Sequence, residues 1–184
     1  MERDLALSIL HSHLQETSLI NHSLETEAVM RKLAGHFQAD PKVWGIAGLL
    51  HDLDFEQTRD KPDQHGLLTA KELEGKLPPE AIQAIAAHNS EMNGTPAQTT
   101  FDYALRCAET VTGLISANAL VRPEGMEGMK AKSLKKKMKD KSFAANVDRE
   151  RIKECDKIDL ELGEFFQLAI AAMQDIAADV GLEK

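Results

Sequence analysis

The chain has 184 residues, 42% hydrophobic and 28% charged, with a formal net charge of −8 at pH 7. That length suits one domain with a substantial core rather than two large ones, and the composition is that of an ordinary globular protein. No apolar stretch approaches the roughly 18–20 residues a membrane-spanning helix needs, and the opening MERDLALSILHSHLQETS does not read as a signal peptide. The two cysteines, Cys107 and Cys155, have no CxxC spacing, so a cytoplasmic protein without disulfides or a membrane partner is expected.

The apolar spacing is helical throughout, and no run of alternating β-branched residues interrupts it. A first helix is predicted over residues 2–16, with Leu5, Ile9 and His13 near one face. A second runs from about Ser18 to Phe37 and carries Leu19, His22, Val29 and Leu33. Asp40-Pro41 supplies a cap and a first-turn proline for a third, through Val43, Ile46, Ala47 and Leu50. That helix closes on His51-Asp52, which offers an imidazole nitrogen and a carboxylate from adjacent residues, both ligand types for a divalent metal.

Residues 53–64 read as a charged loop, followed by a helix from about His65 to Lys76. Leu77-Pro78-Pro79-Glu80 stops it and starts another, through Ile82, Ile85 and Ala86 to His88. A polar loop over 89–98 leads into a long helix from Thr99 or Thr100 to about Leu120, and a Gly-rich connector begins at Arg122. The last helix is the clearest: Ile158, Leu162, Phe165, Ala169, Met173, Ile176 and Val180 form one apolar stripe that needs burial. The expected fold class is therefore all-α. Residues 1–184 form a single compact bundle, with a motif-bearing core over about 18–120 and a C-terminal extension over about 121–184 packed on it.

Charge is unevenly spread. Residues 130–141 hold seven lysines and one aspartate, a local charge of +6 that leaves −14 on the remainder. An acidic body with one basic segment argues against a stable nucleic-acid complex. The segment itself reads equally as a local anion-binding surface or as a solvated helix face.

Of the seven histidines, His22, His51, His65 and His88 each fall on a different predicted helix or helix start. A single apolar-face histidine is usually a hydrogen-bonded core residue. Several of them beside Asp52, each from a separate helix, match the way bundles assemble metal centres. His11, His13 and His36 have no assigned partner and read as structural or surface residues.

The ordered set His22, His51-Asp52, His65, His88 and Glu109 resembles the HD superfamily of metal-dependent phosphohydrolases, named for the adjacent His-Asp pair. NHSLETEAVM, GIAGLLHDLDFE, HGLLTAKELEG, AIAAHN and YALRCAETVTGLI are similar to its successive ligand segments, over roughly residues 18–120. LVRPEG and KSLKKKMKDKSFAANVDRE are similar to a bacterial group within it, described as predicted hydrolases. The resemblance implies an HD-type all-α bundle holding divalent metal, with two ions expected. His22, His51, Asp52 and Glu109 would bind one, His65 and His88 the second, and Asp52 would bridge them. The final ligand is an aspartate in the family and Glu109 here, one methylene longer.

A mixed imidazole and carboxylate set suits Mn, Fe, Co, Ni or Zn, and also Mg where carboxylates and water dominate. The implied reaction is hydrolysis of a nucleotide or another small phosphoester through a metal-activated water. Asp52, Asp54 and Glu56 are the candidate catalytic carboxylates, the last two as outer partners of the metal or a general acid, or else as a solvated acidic loop. Arg122 and some of Lys132, Lys135, Lys136, Lys139 and Lys141 are candidates for holding substrate phosphate. The alternatives are a catalytically weak or inactive, metal-containing nucleotide-binding or regulatory module, and an HD-fold di-iron oxygenase. Oligomeric state stays open.

Overall fold

The computed structural model describes residues 1–184, and every regular element is helical. In chain order these are α1 (Arg3–His13), α2 (Thr17–His36), α3 (Pro41–Leu50), α4 (Phe55–Thr58), α5 (Leu67–Leu73), α6 (Pro79–Ala87), α7 (Ser90–Asn93), α8 (Thr100–Val121), α9 (Ala131–Lys139), α10 (Arg149–Lys153) and α11 (Leu162–Asp175). A 3₁₀ turn over Glu154–Ile158 joins the last two.

Local chemistry starts the elements that matter most for the site. The Asp40 carboxylate accepts the Lys42 amide at 2.8 Å while Pro41 fills the first turn, so α3 begins where that dipeptide stands. At α8 the Thr99 hydroxyl accepts the Asp102 amide at 3.2 Å and the Asp102 carboxylate accepts the Thr99 amide at 3.0 Å, a reciprocal capping box. The apolar faces of α2, α3, α6, α8 and α11 close on one continuous core that reaches from Ala6 to Leu182. Helix α8 packs against α2, α3, α6 and α11.

Gly48 governs how closely α3 approaches α2. A Cβ there would stand 2.9 Å from the Thr26 carbonyl oxygen and 3.0 Å from Met30 Cγ. Backbone cannot retreat as a flexible side chain can, so Gly48→Ala is expected to cost about 1–3 kcal/mol. The loss is read as a fall of several degrees in melting temperature by circular dichroism; an unchanged value would show that the two helices can part without penalty.

Four sequence expectations change. On α1 the buried face is Ala6 and Leu10, continued by Leu14, while Leu5 is 56% exposed, so the stripe lies about one residue out of phase with the prediction. The loops at 53–64 and 89–98 each contain a single helical turn, α4 and α7. The helix expected from His65 begins at Leu67, because Gly66 at φ +84° is a left-handed entry residue. The final stripe is not one helix: Ile158 ends the 3₁₀ turn, Asp159 adopts φ +56°, and Glu161 restarts the chain by accepting the Gly163 amide. Ile158 and Val180 are buried nonetheless, at 5% exposure each, because turns flanking α11 carry them onto the same core.

Candidate metal centre

Helices α3 and α6 end in the same way. The last carbonyls of a helix lack amide partners, and in both cases a histidine side chain supplies one. His51 Nδ1 donates to the Gly48 carbonyl at 2.8 Å, and His88 Nδ1 donates to the Ile85 carbonyl at 2.6 Å. Carbonyls only accept, so Nδ1 carries the proton in each ring and Nε2 keeps its lone pair.

The other two imidazoles are fixed by side chains. His65, in the turn before α5, donates from Nδ1 to Asp54 Oδ1 at 2.8 Å. His22, on α2, lies with Nδ1 at 3.1 Å from Thr112 Oγ1 on α8. The Thr112 hydroxyl proton goes to the Glu109 carbonyl at 2.6 Å, so Thr112 Oγ1 accepts from His22.

All four Nε2 atoms turn toward Asp52. His51, His65 and His88 place theirs 3.2, 3.3 and 3.3 Å from Asp52 Oδ1, and His22 places its own 3.6 Å from Oδ2. The ligand atoms form two groups, His22–His51–Asp52 and Asp52–His65–His88, each with all members within 4.8 Å. His65 Nε2 and His88 Nε2 lie 3.0 Å apart. Donors bound to one ion at about 2.0–2.1 Å stand roughly 3.0–3.4 Å from one another, so these spacings fit a divalent metal. His51 Nε2 is buried without a hydrogen-bond partner, an orphan that a metal would satisfy.

The electrostatics fit the same reading. Burial pushes His51 down to about 3 despite Asp52 beside it, so the ring is neutral and able to ligate. Burial also opposes ionisation of Asp52, yet His51, His65 and His88 hold its carboxyl well below the usual range. Burial disfavours a charged His65, but Asp52 and Asp54 outweigh it and raise the ring to about 10.

Asp54 is tied into the turn that carries His65. Its carboxylate accepts the Gly66 amide at 2.9 Å, the Thr69 amide at 2.9 Å and His65 Nδ1, and Thr69 Oγ1 returns a contact to the Asp54 amide at 3.0 Å. Burial alone would raise its pKa, but these bonds lower it. Glu56 Oε1 accepts the Gln15 and Glu16 amides at 3.0 and 3.1 Å, at the entry to α2.

The structure does not bring Glu109 into either ligand group. Its Oε1 accepts from Arg151 Nη1, supplied by α10, at 3.0 Å. Arg122 is tied to the Gly125 and Glu127 carbonyls at 2.9 and 2.6 Å, closing the connector on itself. Lys132, Lys135, Lys136, Lys139 and Lys141 are exposed on or just after α9, which packs against α11 and α8 through Leu134. None of them lines the cleft that opens beside His22.

That cleft, about 330 Å³, is walled by His22, Glu109, Thr110, Asn146, Asp148 and Arg151, among others. A more apolar groove of about 370 Å³ lies between α2 and α11, lined by Leu24, Ala28, Ala172 and Ile176, and contains no member of the histidine cluster. Pattern reading missed three residues. Arg151 stands in the cleft wall, and Thr112 orients His22. Arg106, only 2% exposed, pairs with Glu91 and Glu154 and donates from Nη1 to the His88 carbonyl at 3.1 Å, fastening the end of α6. A charged residue inside the apolar face of α8 was the one signal available for Arg106.

Imidazoles from four separate segments converging on a shared aspartate within a helical bundle define an all-α protein with a candidate metal centre. The chain belongs to the HD domain family, whose family model matches residues 19–153. The match continues past residue 120 through α9 and α10, and so includes Arg151. Comparison with curated proteins and with solved structures returned no match. HD domain proteins bind divalent metals and are generally metal-dependent hydrolases. No helix is long and apolar enough to cross a membrane.

Proposed function

We propose that the protein is a metal-dependent phosphohydrolase acting on a nucleotide or another small phosphoester. One observation carries this reading: four Nε2 atoms converge on Asp52 while every Nδ1 is held from behind by Gly48, Asp54, Ile85 or Thr112. Ligating histidines are ordinarily fixed in this manner, since the outer bond sets both tautomer and ring direction.

His22, His51 and Asp52 would hold one ion, and Asp52, His65 and His88 a second, drawn from Mn, Fe, Co, Ni, Zn or Mg. When bound, such ions lower the pKa of water and neutralise phosphoryl charge. The chain's own part is orientation and exclusion of solvent. Asp52, at 6% exposure, keeps its charge among the imidazoles, and Asp54 holds His65 so that Nε2 faces inward. Arg106 fixes the backbone on which His88 stands. The free thiols Cys107 and Cys155 fit a cytoplasmic setting.

Glu109 favours a second reading. Its pairing with Arg151 removes the last expected ligand from the cluster, which suits a metal-containing nucleotide-binding or regulatory module without turnover. Phosphate release from a panel of phosphoesters, measured with each metal and after chelation, separates the two. Metal-dependent release that chelation abolishes is the expected result; nucleotide binding without release under every metal would select the regulatory module.

A further inference from the structure

The cleft beside His22 shares that residue with the histidine cluster, so the part of a phosphoester that does not react would lie within it. At about 330 Å³ it is at the small end of ligand pockets. Its charge is the informative property. Arg151 is the one lysine or arginine in the wall, and two carboxylates already take it: Glu109 at 3.0 Å and Glu91 at 2.7 Å. Glu109 and Asp148 both line the cleft, so carboxylates outnumber the guanidinium there.

The free acceptors point the same way. Asp148 Oδ1 accepts the Glu150 and Arg151 amides at 2.9 and 3.2 Å to start α10, and Oδ2 has no partner. Glu109 Oε1 is occupied by Arg151, and Oε2 has no partner. Free carboxylate oxygens accept hydrogen bonds from hydroxyl and amino groups and repel phosphate. The lysines that could have neutralised a distant phosphate are spread along α9, outside this wall.

We propose that the cleft between His22 and the 146–151 segment selects phosphomonoesters whose remainder is uncharged and hydroxyl-bearing, such as a nucleoside or sugar monophosphate, and rejects substrates carrying a second phosphate. The proposal rests on the phosphohydrolase reading above. The reacting phosphate is neutralised at the histidine cluster alone. Glu109 and Asp148 accept hydrogen bonds from the neutral remainder, and Arg151 holds Glu109 in place as a positioning residue.

Adenosine 5′-monophosphate and adenosine 3′,5′-bisphosphate differ by one phosphate and give the test. Phosphate release from each is measured with the metal-loaded protein, and binding of their non-hydrolysable 5′-methylenephosphonate analogues is measured by calorimetry. The monophosphate is expected to be favoured tenfold or more in kcat/KM and in affinity. Glu109→Gln and Asp148→Asn, which keep shape and the α10 cap, are expected to shrink that preference. Equal or better handling of the bisphosphate overturns this proposal and leaves the hydrolase reading intact. Binding without release overturns the hydrolase reading, while the affinity ratio still decides the cleft's selectivity. Neither binding nor release removes both.

Discussion

Removing divalent metal with a chelator is expected to lower the melting temperature of the protein by about 8–16 °C, reversibly on re-addition. A ligand that binds only the folded state stabilises it by RT ln(1 + [L]/Kd), about 4 kcal/mol at a thousandfold excess over Kd. For a chain of this length each kcal/mol moves the midpoint by roughly 2–4 °C. The selectivity for the folded state comes from how the ligands are assembled. His22, His51, His65 and His88 belong to four different segments, and their ring nitrogens meet only when α2, α3, α6 and the turn before α5 are packed together. His65 Nε2 and His88 Nε2 face each other at 3.0 Å, and His51 Nε2 is buried with no hydrogen-bond partner, so an ion would join groups that make few bonds of their own. A midpoint that ignores saturating metal would mean that this cluster is a self-contained hydrogen-bond network.

Asp52→Ala is expected to empty the centre, whereas Glu109→Ala is expected to leave metal content unchanged. Asp52 is the one residue common to both ligand groups, so its loss weakens both positions at once. Changing even an outer partner of a metal ligand costs about 10–100-fold in affinity; losing the shared carboxylate should exceed the upper end of that range and abolish phosphate release. Glu109 instead bonds Arg151, and its removal breaks that ion pair rather than the cluster. Elemental analysis of the two variants checks the contrast. Metal lost from Glu109→Ala would show that its carboxylate leaves Arg151 to bind an ion, restoring the role its sequence position implies.

The contrast between Asp52 and Glu109 marks how far the sequence could be read. The helices were legible because their signals are local: Asp40-Pro41, Thr99 with Asp102, Pro78-Pro79 and the apolar spacing each act within a few residues. His22, His51-Asp52, His65 and His88 were legible as a group because ligand residue types fell on distinct helices in a recognisable order. The phase of α1, the break in the final stripe and the turns α4 and α7 were not, since short turns carry weak periodicity and packing sets their conformation.

By itself, then, the sequence determined an all-α chain, Asp52 and the four histidines that surround its carboxylate. Only the tertiary structure decided which atom each imidazole presents, because that depends on Gly48, Asp54, Ile85 and Thr112 standing behind the rings. It also decided where Glu109 and the lysines stand. Arg151 lies 42 residues beyond Glu109 and meets it through the packing of α10 on α8. A charge run in sequence carries no direction in space, and side chains find their partners only after the helices that bear them have been oriented.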